Sequence, residues 1–201
     1  MKIYTTYKVK IKGYNHIFKD TISIYREAVD YLLTVCYDNW DKISQLNGNR
    51  KQFLVERLVH RTKDNPHPTY DFDSKFYKLP SSLRRGAINE AIGKIASYTS
   101  NLDNWKKECK GKKPSFPKAG YVYPRMYSRR MFREVDKYTV QVKVYIRNTW
   151  DWITIRLRRS DMDYIYKHCN DRKKCVPTLQ KRGKEWFLDF PFEEETKLTN
   201  K

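Results

Sequence analysis

The sequence predicts an α+β fold, in which a small β-barrel is interrupted by an inserted three-helix bundle. Apolar and polar residues alternate both at the start of the chain and between residues 138 and 190, and alternation is the period of half-buried strands. Between these regions, apolar residues recur at three- and four-residue steps, the period of a helix face. A few strands cannot bury one apolar face alone, so we expect the first strand to pair with the late ones.

The first strand is predicted over residues 1–12. Its two faces are Ile3, Thr5, Tyr7, Val9 and Ile11 on one side, and Lys8, Lys10 and Lys12 on the other. The lysines are therefore expected on the outer face of the barrel.

Three helices are predicted in the insertion. The first begins at a cap on Asp20 or Thr21 and ends near Asn47-Gly48, and the second begins at Asn49. The side chains expected to face inward on the second helix are Phe53, Leu54 and Leu58. The third helix begins at Ser81, a residue type that caps helix N-termini.

Residues 106–133 are distinguished by their charge. They hold ten Lys and Arg against one acid, Glu108, and so carry +9 of the net +19. Aromatic residues are interspersed, and Pro114, Pro117 and Pro124 are expected to keep the chain extended. We interpret this segment as the return from the helices to the sheet.

The late strands are predicted as two hairpins. The first has strands over residues 138–146 and 153–157, with a turn at 147–151. The second has strands over 176–180 and 186–190, and its last strand ends at Pro191-Phe192. Between the hairpins, Ser160-Asp161-Met162-Asp163 predicts the capped start of a short helix that runs to about His168.

Charge and composition separate the possible partners. The chain has 42 Lys and Arg against 23 Asp and Glu, and an excess of this size predicts a polyanionic partner. The 16 Tyr and 9 Phe suit nucleic acid, because bases stack on rings while cations bind phosphates. No membrane partner is expected, because the basic residues do not follow one amphipathic helix.

The four cysteines contain no CxxC pair, and the start of the chain lacks the apolar run of a signal peptide. Free thiols in a reducing cytoplasm are the simplest interpretation. His168, Cys169 and Cys175 lack a fourth ligand in paired spacing, so no metal site is expected.

The order of these elements resembles the N-terminal half of TnpB, the transposon-encoded RNA-guided nuclease related to small type V CRISPR effectors. The matching features are the basic first strand, the helical insertion, Leu79-Pro80-Ser81-Ser82-Leu83, the link Gly111-Lys112-Lys113-Pro114-Ser115-Phe116-Pro117-Lys118, and the closing hairpin from Thr178 to Phe190. The resemblance covers about residues 1–195, and the order of the motifs carries it more than any single motif.

The resemblance implies a division into domains. Residues 1–14 and 120–195 would form a wedge domain, an oligonucleotide-binding-like β-barrel. Residues 15–110 would form a helical recognition insertion, residues 111–119 a basic link, and residues 196–201 a polar tail. In the family these domains hold the guide RNA and help to read a short motif beside the DNA target.

The resemblance also implies partners, namely a guide RNA and target DNA, in the cytoplasm of a prokaryote and on its nucleoid. In the family the closing hairpin leads into a RuvC-like nuclease domain, whose metal-binding acids have no counterpart here. We therefore expect no catalytic residue and no cofactor in this chain, with Mg²⁺ needed only where a RuvC-like domain is supplied. That domain could come from a separate chain, and a second copy of this chain is also a candidate partner.

Three functions stay open at this point. The first is a guide-RNA-binding and target-recognition module that is not catalytic by itself. The second is the N-terminal part of an active RNA-guided nuclease, whose RuvC-like domain lies on the rest of the frame or on a separate chain. The third is a general structural RNA-binding protein.

The candidate contacts with nucleic acid fall into three groups. In the basic segment, the phosphate contacts are Lys112, Lys113, Lys118, Arg125, Arg129 and Arg130, and the rings that could stack on a base or belong to the core are Phe116 and Tyr127. On the barrel, the basic residues are Lys8, Lys10, Lys12, Arg156 and Arg158, whose alternative role is an ordinary solvent face. On the third helix, the candidates are Arg84, Arg85 and Asn89, where Arg can bind guanine bidentately or simply lie on the helix surface.

Overall fold

The computed structural model describes residues 2–13, 16–127 and 129–195 and has an α+β fold with antiparallel strands. The elements in order are β1 (Lys2–Lys12), α1 (Lys19–Asp38), α2 (Trp40–Ser44), α3 (Asn49–Val59), α4 (Phe72–Lys75), α5 (Ser81–Glu108), β2 (Phe132–Glu134), β3 (Thr139–Ile146), β4 (Thr149–Leu157), α6 (Arg159–His168), β5 (Lys173–Lys174), β6 (Thr178–Arg182) and β7 (Glu185–Glu195). The predicted tail 196–201 lies outside the described residues.

The chain divides into two compact units. The sheet unit comprises Met1–Ile22 and Tyr123–Lys201, and the helical unit comprises Ser23–Val122. The wedge and recognition domains, with their predicted boundaries, stay predictions. Within the described residues, no helix combines the length and apolarity needed to cross a bilayer.

The prediction that the first strand pairs with late strands is confirmed. β1 pairs with β7 over nine residues, from Lys2 opposite Glu195 to Lys10 opposite Phe187. It also pairs with β4 at its other end, where Ile11 lies opposite Leu157 and Lys12 opposite Arg156. The sheet order is β2-β3-β4-β1-β7-β5, with β6 also on β7.

The predicted alternation is confirmed in the buried face of this sheet. Its buried side chains include Val9, Ile11, Val140, Val142, Val144, Ile155, Leu157, Trp186, Leu188, Phe190 and Phe192. Because side chains point to opposite faces with a period of two, the intervening residues of β1, β3 and β4 form the outward face.

The sheet curls so that its two ends approach each other. Glu134 of β2 forms an ion pair with Lys174 of β5, and the rings of Phe132 and Phe190 lie 5.8 Å apart. The backbone N–H of Met126 also donates to the carbonyl of Pro177 at 2.7 Å. These contacts cover strand edges that would otherwise be open to pairing with other chains.

Helix α6 covers the part of the β1 edge that β4 does not reach. The backbone N–H of Lys10 donates to Asp161 Oδ2 at 3.1 Å, and the N–H of Arg158 donates to the Lys10 carbonyl at 2.9 Å. The predicted capping role of Ser160-Asp161 is therefore wrong. The N-cap residue is Arg158, without a side-chain cap bond, because Asp161 is engaged by the strand.

In the helical unit, two predicted helix ends are wrong. The first predicted helix breaks at Asn39, whose side-chain amide donates to the carbonyl of Val35 and to the hydroxyl of Tyr70, both at 2.9 Å. At the third helix, Ser81 is the first helical residue and not the cap, which is Pro80. On α5, Leu83, Ala87, Ala91 and Ile95 are buried, whereas Leu102 and Trp105 near its end are half-buried.

The predicted inward face of α3 is rotated. Phe53 is 59% exposed, whereas Val55 and Val59 are fully buried, and Leu54 and Leu58 are half-buried. Val55 and Val59, four residues apart, form the buried face of α3. Phe53 is two residues from Val55 and therefore lies on the other side of the helix, on the side where Glu56 pairs with arginines of α5.

One predicted turn and one predicted strand end are also wrong. The predicted turn at 147–151 is only Arg147-Asn148, both with positive φ (51° and 58°), as a two-residue hairpin turn requires. The last strand does not end at Pro191-Phe192 but continues to Glu195, because its terminal glutamates pair with β1.

Glu193 holds the open end of the β1–β7 pair. Its carboxylate is 9% exposed and accepts hydrogen bonds from Lys2 Nζ at 2.7 Å and from the Tyr4 hydroxyl at 2.9 Å. The Lys2 ammonium, followed by the Tyr4 hydroxyl, holds the pKa of Glu193 below its ordinary value of 4.5. A carboxylate with a lowered folded pKa stabilises the fold above its unfolded pKa and loses this effect as the pH falls.

We therefore expect Glu193→Gln to lower the urea midpoint of unfolding at pH 7, with the difference from wild type shrinking as the pH falls below 4.5. The matched control is Glu194→Gln on the same strand. Glu194 is 42% exposed and pairs with Arg172 at 3.3 Å, so its loss should matter little. Equal midpoints for wild type and Glu193→Gln at pH 7 would contradict the arrangement.

The four cysteines are free, and they differ in burial. Cys36 is fully buried on α1, and burial raises the pKa of its thiol to about 12, whereas Cys109 is exposed. Because the thiolate is the reactive form, iodoacetamide at pH 8 should label Cys109 in the native protein and leave Cys36 unlabelled until urea is added. Peptide mass spectrometry reads each site separately, and rapid native labelling of Cys36 would refute its placement.

Candidate nucleic-acid interface

The outward face of the sheet unit brings two cations directly together. Lys12 of β1 lies opposite Arg156 of β4 in the antiparallel register, and both side chains are exposed. Directly opposed residues have Cβ atoms about 5 Å apart, and like charges in this position destabilise a sheet. Lys8 and Lys10 continue the same face along β1, and Arg158 follows the end of β4. We call these five residues the basic face.

A cavity lies on either side of Lys12. The first, of about 720 Å³, is lined by Lys12, Asp136, Lys137, Tyr138, Thr139, Arg156, Leu157 and Arg159. The second, of about 600 Å³, is lined by Lys10, Ile11, Lys12, Gly13, Arg158, Lys184, Glu185 and Trp186. Each cavity has four basic residues and one acid, so both favour an anionic occupant.

Carboxylates neutralise some of these cations. Lys10 pairs with Glu185, Lys137 pairs with Asp163 at 2.7 Å, and the Arg158 Nε lies 3.7 Å from Asp161. Lys12 and Arg156, in contrast, form no ion pair within residues 2–13, 16–127 and 129–195. The central pair of the basic face therefore keeps its full charge.

The acid that lines a cavity together with this pair, Asp136, is hydrogen-bonded to the backbone. Asp136 Oδ1 accepts a hydrogen bond from the N–H of Tyr138 at 2.7 Å. This bond is the main reason that the pKa of Asp136 is lowered, with the Arg156 charge a smaller cause. Asp136 thus remains ionised while it fixes the turn before β3.

The basic face adjoins aromatic side chains that are not among the predicted contacts with nucleic acid. Trp150 and Trp152 share the outward face of β4 with Arg156, and Tyr145 lies opposite Trp150 in the register. All three rings are half-buried, and the Arg133 guanidinium lies 4.0 Å from the Trp152 ring centre. The signal was present in the sequence, because aromatic residues occupied the polar side of an alternating strand.

Lys8 differs from the rest of the basic face. It is exposed but lies opposite Asp189 of β7, which is 4% exposed and pairs with Arg182 Nη2 at 3.0 Å. A buried carboxylate across the strand pair weakens the attraction of Lys8 for another anion.

The basic segment 106–133 belongs in part to each unit. Arg125, Arg129 and Arg130 are exposed in the sheet unit, and Tyr127 is half-buried. Arg125 forms an isolated bridge with Thr178 of β6, and Arg129 adopts a positive φ of 63° in the turn before β2. The prediction that this segment contacts nucleic acid stays a prediction.

The rest of the segment is fixed to the helices of its own unit. The N–H of Ala119 donates to Asp30 Oδ1 at 2.6 Å, and Phe116 packs edge-on against Tyr37 and Tyr98 at 5.4 and 5.6 Å. Phe116 is therefore part of an aromatic cluster, although it remains 42% exposed. The flanking cations Lys112, Lys113 and Lys118 are all exposed.

The three candidates on α5 are placed differently from one another. Arg84 is 7% exposed and its Nη2 donates to Glu56 Oε1 at 3.0 Å. Arg85 binds the same carboxylate through Nε at 3.1 Å, but 42% of its side chain is exposed. Asn89 is exposed and donates to Gln52 at 3.0 Å. Arg84 is thus engaged inside the protein, whereas Arg85 and Asn89 reach the surface.

Comparison with known proteins identifies the family of this chain. A sequence profile of the Aq_aa04 family matches residues 5–146, which is well over half of the chain. The chain belongs to the Aq_aa04 family. It is 30% identical over 133 residues to "Uncharacterized protein aq_aa04" of Aquifex aeolicus (strain VF5), an alignment that covers 60% of this chain and 74% of the relative.

The part matched to the Aq_aa04 family covers β1 from Thr5 onward, all helices of the helical unit, the basic segment, β2 and β3. Lys12 lies inside the matched residues, whereas Trp150, Trp152, Arg156 and Arg158 lie beyond them. The described part of this Aq_aa04-family chain contains no group of three His, Cys, Asp or Glu residues arranged to hold a metal ion.

The Arg84–Glu56–Arg85 cluster gives a prediction about stability. Glu56→Gln leaves two guanidinium groups without their carboxylate, and Arg84 is nearly buried. Breaking such a pair from one side should cost about 3 kcal/mol of unfolding free energy, measured by urea denaturation. Asp64→Asn, an exposed acid at the same cavity, is the matched control and should change stability by less than about 0.5 kcal/mol. A loss of equal size in both variants would refute the structural role of Glu56.

Proposed function

We propose that this Aq_aa04-family protein binds nucleic acid through the outward face of its sheet unit, as the RNA-binding module of an RNA-guided system of the TnpB type. The observation that carries the proposal is the opposed pair of Lys12 and Arg156. Within the described residues neither cation has an ion-pair partner. Like charges in this position cost the sheet stability, and a phosphate bound between them would remove that cost.

Aromatic rings beside the cations support a nucleic acid over other polyanions. Trp150, Trp152 and Tyr145 are half-buried on the same outward face. A ring that keeps part of its surface open can stack on an unpaired base, which contributes about 1–3 kcal/mol. Sulfated polysaccharides and acidic proteins carry the charge but not the bases. Unpaired bases are more common in folded RNA than in duplex DNA, so RNA is the preferred ligand.

The finer assignment follows the resemblance to TnpB. In this proposal the curled sheet is the wedge domain, residues 15–110 form the recognition insertion, and both engage a guide RNA beside target DNA. Support comes from the order of the elements, since β1 pairs with β7 although the helical unit separates them in the sequence. The chain would bind without cutting, and Mg²⁺ would act only on a RuvC-like nuclease domain supplied by this frame or by a separate chain.

The basic face gives the first test. Lys12→Gln and Arg156→Gln should each weaken binding to a structured RNA, and each should reduce the slope of log affinity against log salt by about one. Fluorescence anisotropy at several salt concentrations measures both quantities. Lys167→Gln, an exposed lysine of α6 in the same unit, is the control and should leave the slope unchanged. If all three variants bind like wild type, the basic face is not the interface.

A second measurement separates the three functional classes. RNA that co-purifies with the protein is sequenced, and its affinity is compared with that of heparin and of unrelated RNA of equal length. One dominant structured RNA supports the guide-binding module, and a broad RNA population indicates a general RNA-binding protein. Guide-directed cleavage of DNA by the purified 201-residue chain with Mg²⁺ would overturn the non-catalytic assignment. Affinity no higher for RNA than for heparin would overturn the proposal itself.

A further inference from the structure

A cavity of about 460 Å³ lies in the helical unit, and none of the residues that carry the proposed RNA interface lines it. It is lined by Phe53, Glu56, Arg57, His60, Thr62, Asp64, Asn65, Arg84 and Arg85. Its volume is within the range of about 300–1,000 Å³ that small-ligand pockets occupy. It is also larger than a bare inorganic anion requires.

The walls of this cavity are fixed by hydrogen bonds. The side-chain amide of Asn65 donates to the carbonyls of Arg57 at 2.6 Å and His60 at 3.2 Å. The backbone N–H groups of Thr62 and Asn65 each donate to the other residue's carbonyl, and His60 Nδ1 lies 2.8 Å from Asp73 Oδ2. The loop is thereby held against the C-terminal end of α3, so the cavity is formed before any ligand arrives.

The charges inside the cavity do not balance. Arg84 and Arg85 share the single carboxylate of Glu56, and the Arg84 side chain is 8% exposed. The Nε–H of Arg84 is buried without an acceptor in the described part of the chain. A nearly buried cation that shares its carboxylate with a second cation favours a further anion, and a buried donor without an acceptor leaves hydrogen-bonding capacity unused.

An exposed aromatic ring completes the cavity wall. Phe53 is 59% exposed, although its neighbours Val55 and Val59 are fully buried. A large apolar ring turned to solvent beside guanidinium groups is an arrangement that binds a flat aromatic ligand carrying negative charge. Asp64 and Thr62, on the loop, offer oxygen acceptors for the N–H donors of such a ligand.

We propose that this cavity holds one unstacked nucleotide of the bound nucleic acid, with its base on Phe53 and its phosphate against Arg85 and Arg57. This inference rests on the proposed nucleic-acid function and adds a separate site for a single nucleotide. The Arg84–Glu56 pair positions Arg85, since both guanidinium groups bind the same carboxylate. Arg85 then retains an exposed portion for the phosphate, because 42% of its side chain is open.

The test compares two single-stranded oligomers of equal length, one of oligouridine and one of the same sugar-phosphate backbone without bases. Affinities are measured by fluorescence anisotropy for wild type, Phe53→Ala, Phe53→Trp, Arg85→Gln and Lys12→Gln. Phe53→Ala should weaken binding to the base-bearing oligomer about 10-fold and leave the affinity for the abasic oligomer unchanged. Phe53→Trp, which keeps an aromatic ring, should bind the base-bearing oligomer as tightly as wild type. Arg85→Gln should lower the affinity for both oligomers, and Lys12→Gln should lower the two affinities by the same factor.

The outcomes separate this inference from the function on which it rests. If wild type binds neither oligomer and also fails to bind the structured RNA, the nucleic-acid function and the nucleotide site both fail. If it binds the structured RNA but neither oligomer, only the nucleotide site fails. If wild type binds both, and Phe53→Ala leaves the ratio of the two affinities unchanged, only the nucleotide site fails. Since Phe53 is largely exposed, its substitution should preserve the fold, and an unchanged urea midpoint confirms this for each variant.

Discussion

The pairing of β1 with β7 is the interaction on which the sheet unit depends. β7 carries the inward side chains Trp186, Leu188, Phe190 and Phe192 and binds β1 on one edge and both β5 and β6 on the other. Without β1, the edge of β7 and the edge of β4 at Leu157 would both stay unpaired. Pairing across so long a stretch of chain has a large loop-closure cost, but this cost grows only slowly with length. The nine-residue register and the buried face offset it.

Charge is distributed unevenly along this strand pair. At the end near Lys2, three glutamates of β7 lie opposite β1, and Glu193 there accepts hydrogen bonds from Lys2 and Tyr4. At the other end, Lys12 meets Arg156 without a nearby free carboxylate, because Asp136 and Asp161 are engaged by backbone N–H groups. Asp136 and Asp161 thus bind backbone N–H groups of the fold, and the positive charge without an ion-pair partner lies beside the two cavities that flank Lys12.

The sequence was sufficient for the strands and insufficient for the details of the helices. Alternation located β1, β3 and β4 because a curled sheet with one buried face imposes a strict period of two. The orientation of α3 was missed because Phe53, Leu54 and Leu58 follow a helical spacing as well as Val55 and Val59 do, so apolar spacing alone did not select the buried face. The break at Asn39 depends on a hydrogen bond to Tyr70, a partner 31 residues away that no local pattern reveals.

The candidate sites follow the same division. The alternation of β1 identified its outward lysines. The position of Lys12 opposite Arg156 depends on the register between β1 and β4, which alternation does not specify. Arg84 was selected as a surface residue, because its position near a helix start says nothing about burial. The cavity beside it was invisible in the sequence, since α3, the 62–65 loop and α5 meet only in the folded unit.

The separation of the paired strands has a consequence for synthesis in the cell. Tyr4 and its partner Glu193 are 189 residues apart, and ribosomes add about 5–20 residues per second. The first strand therefore leaves the ribosome about ten to forty seconds before its principal partner exists. During that interval its apolar side and its edge stay without their partner strand, while the helical unit, complete by residue 122, is already free to fold.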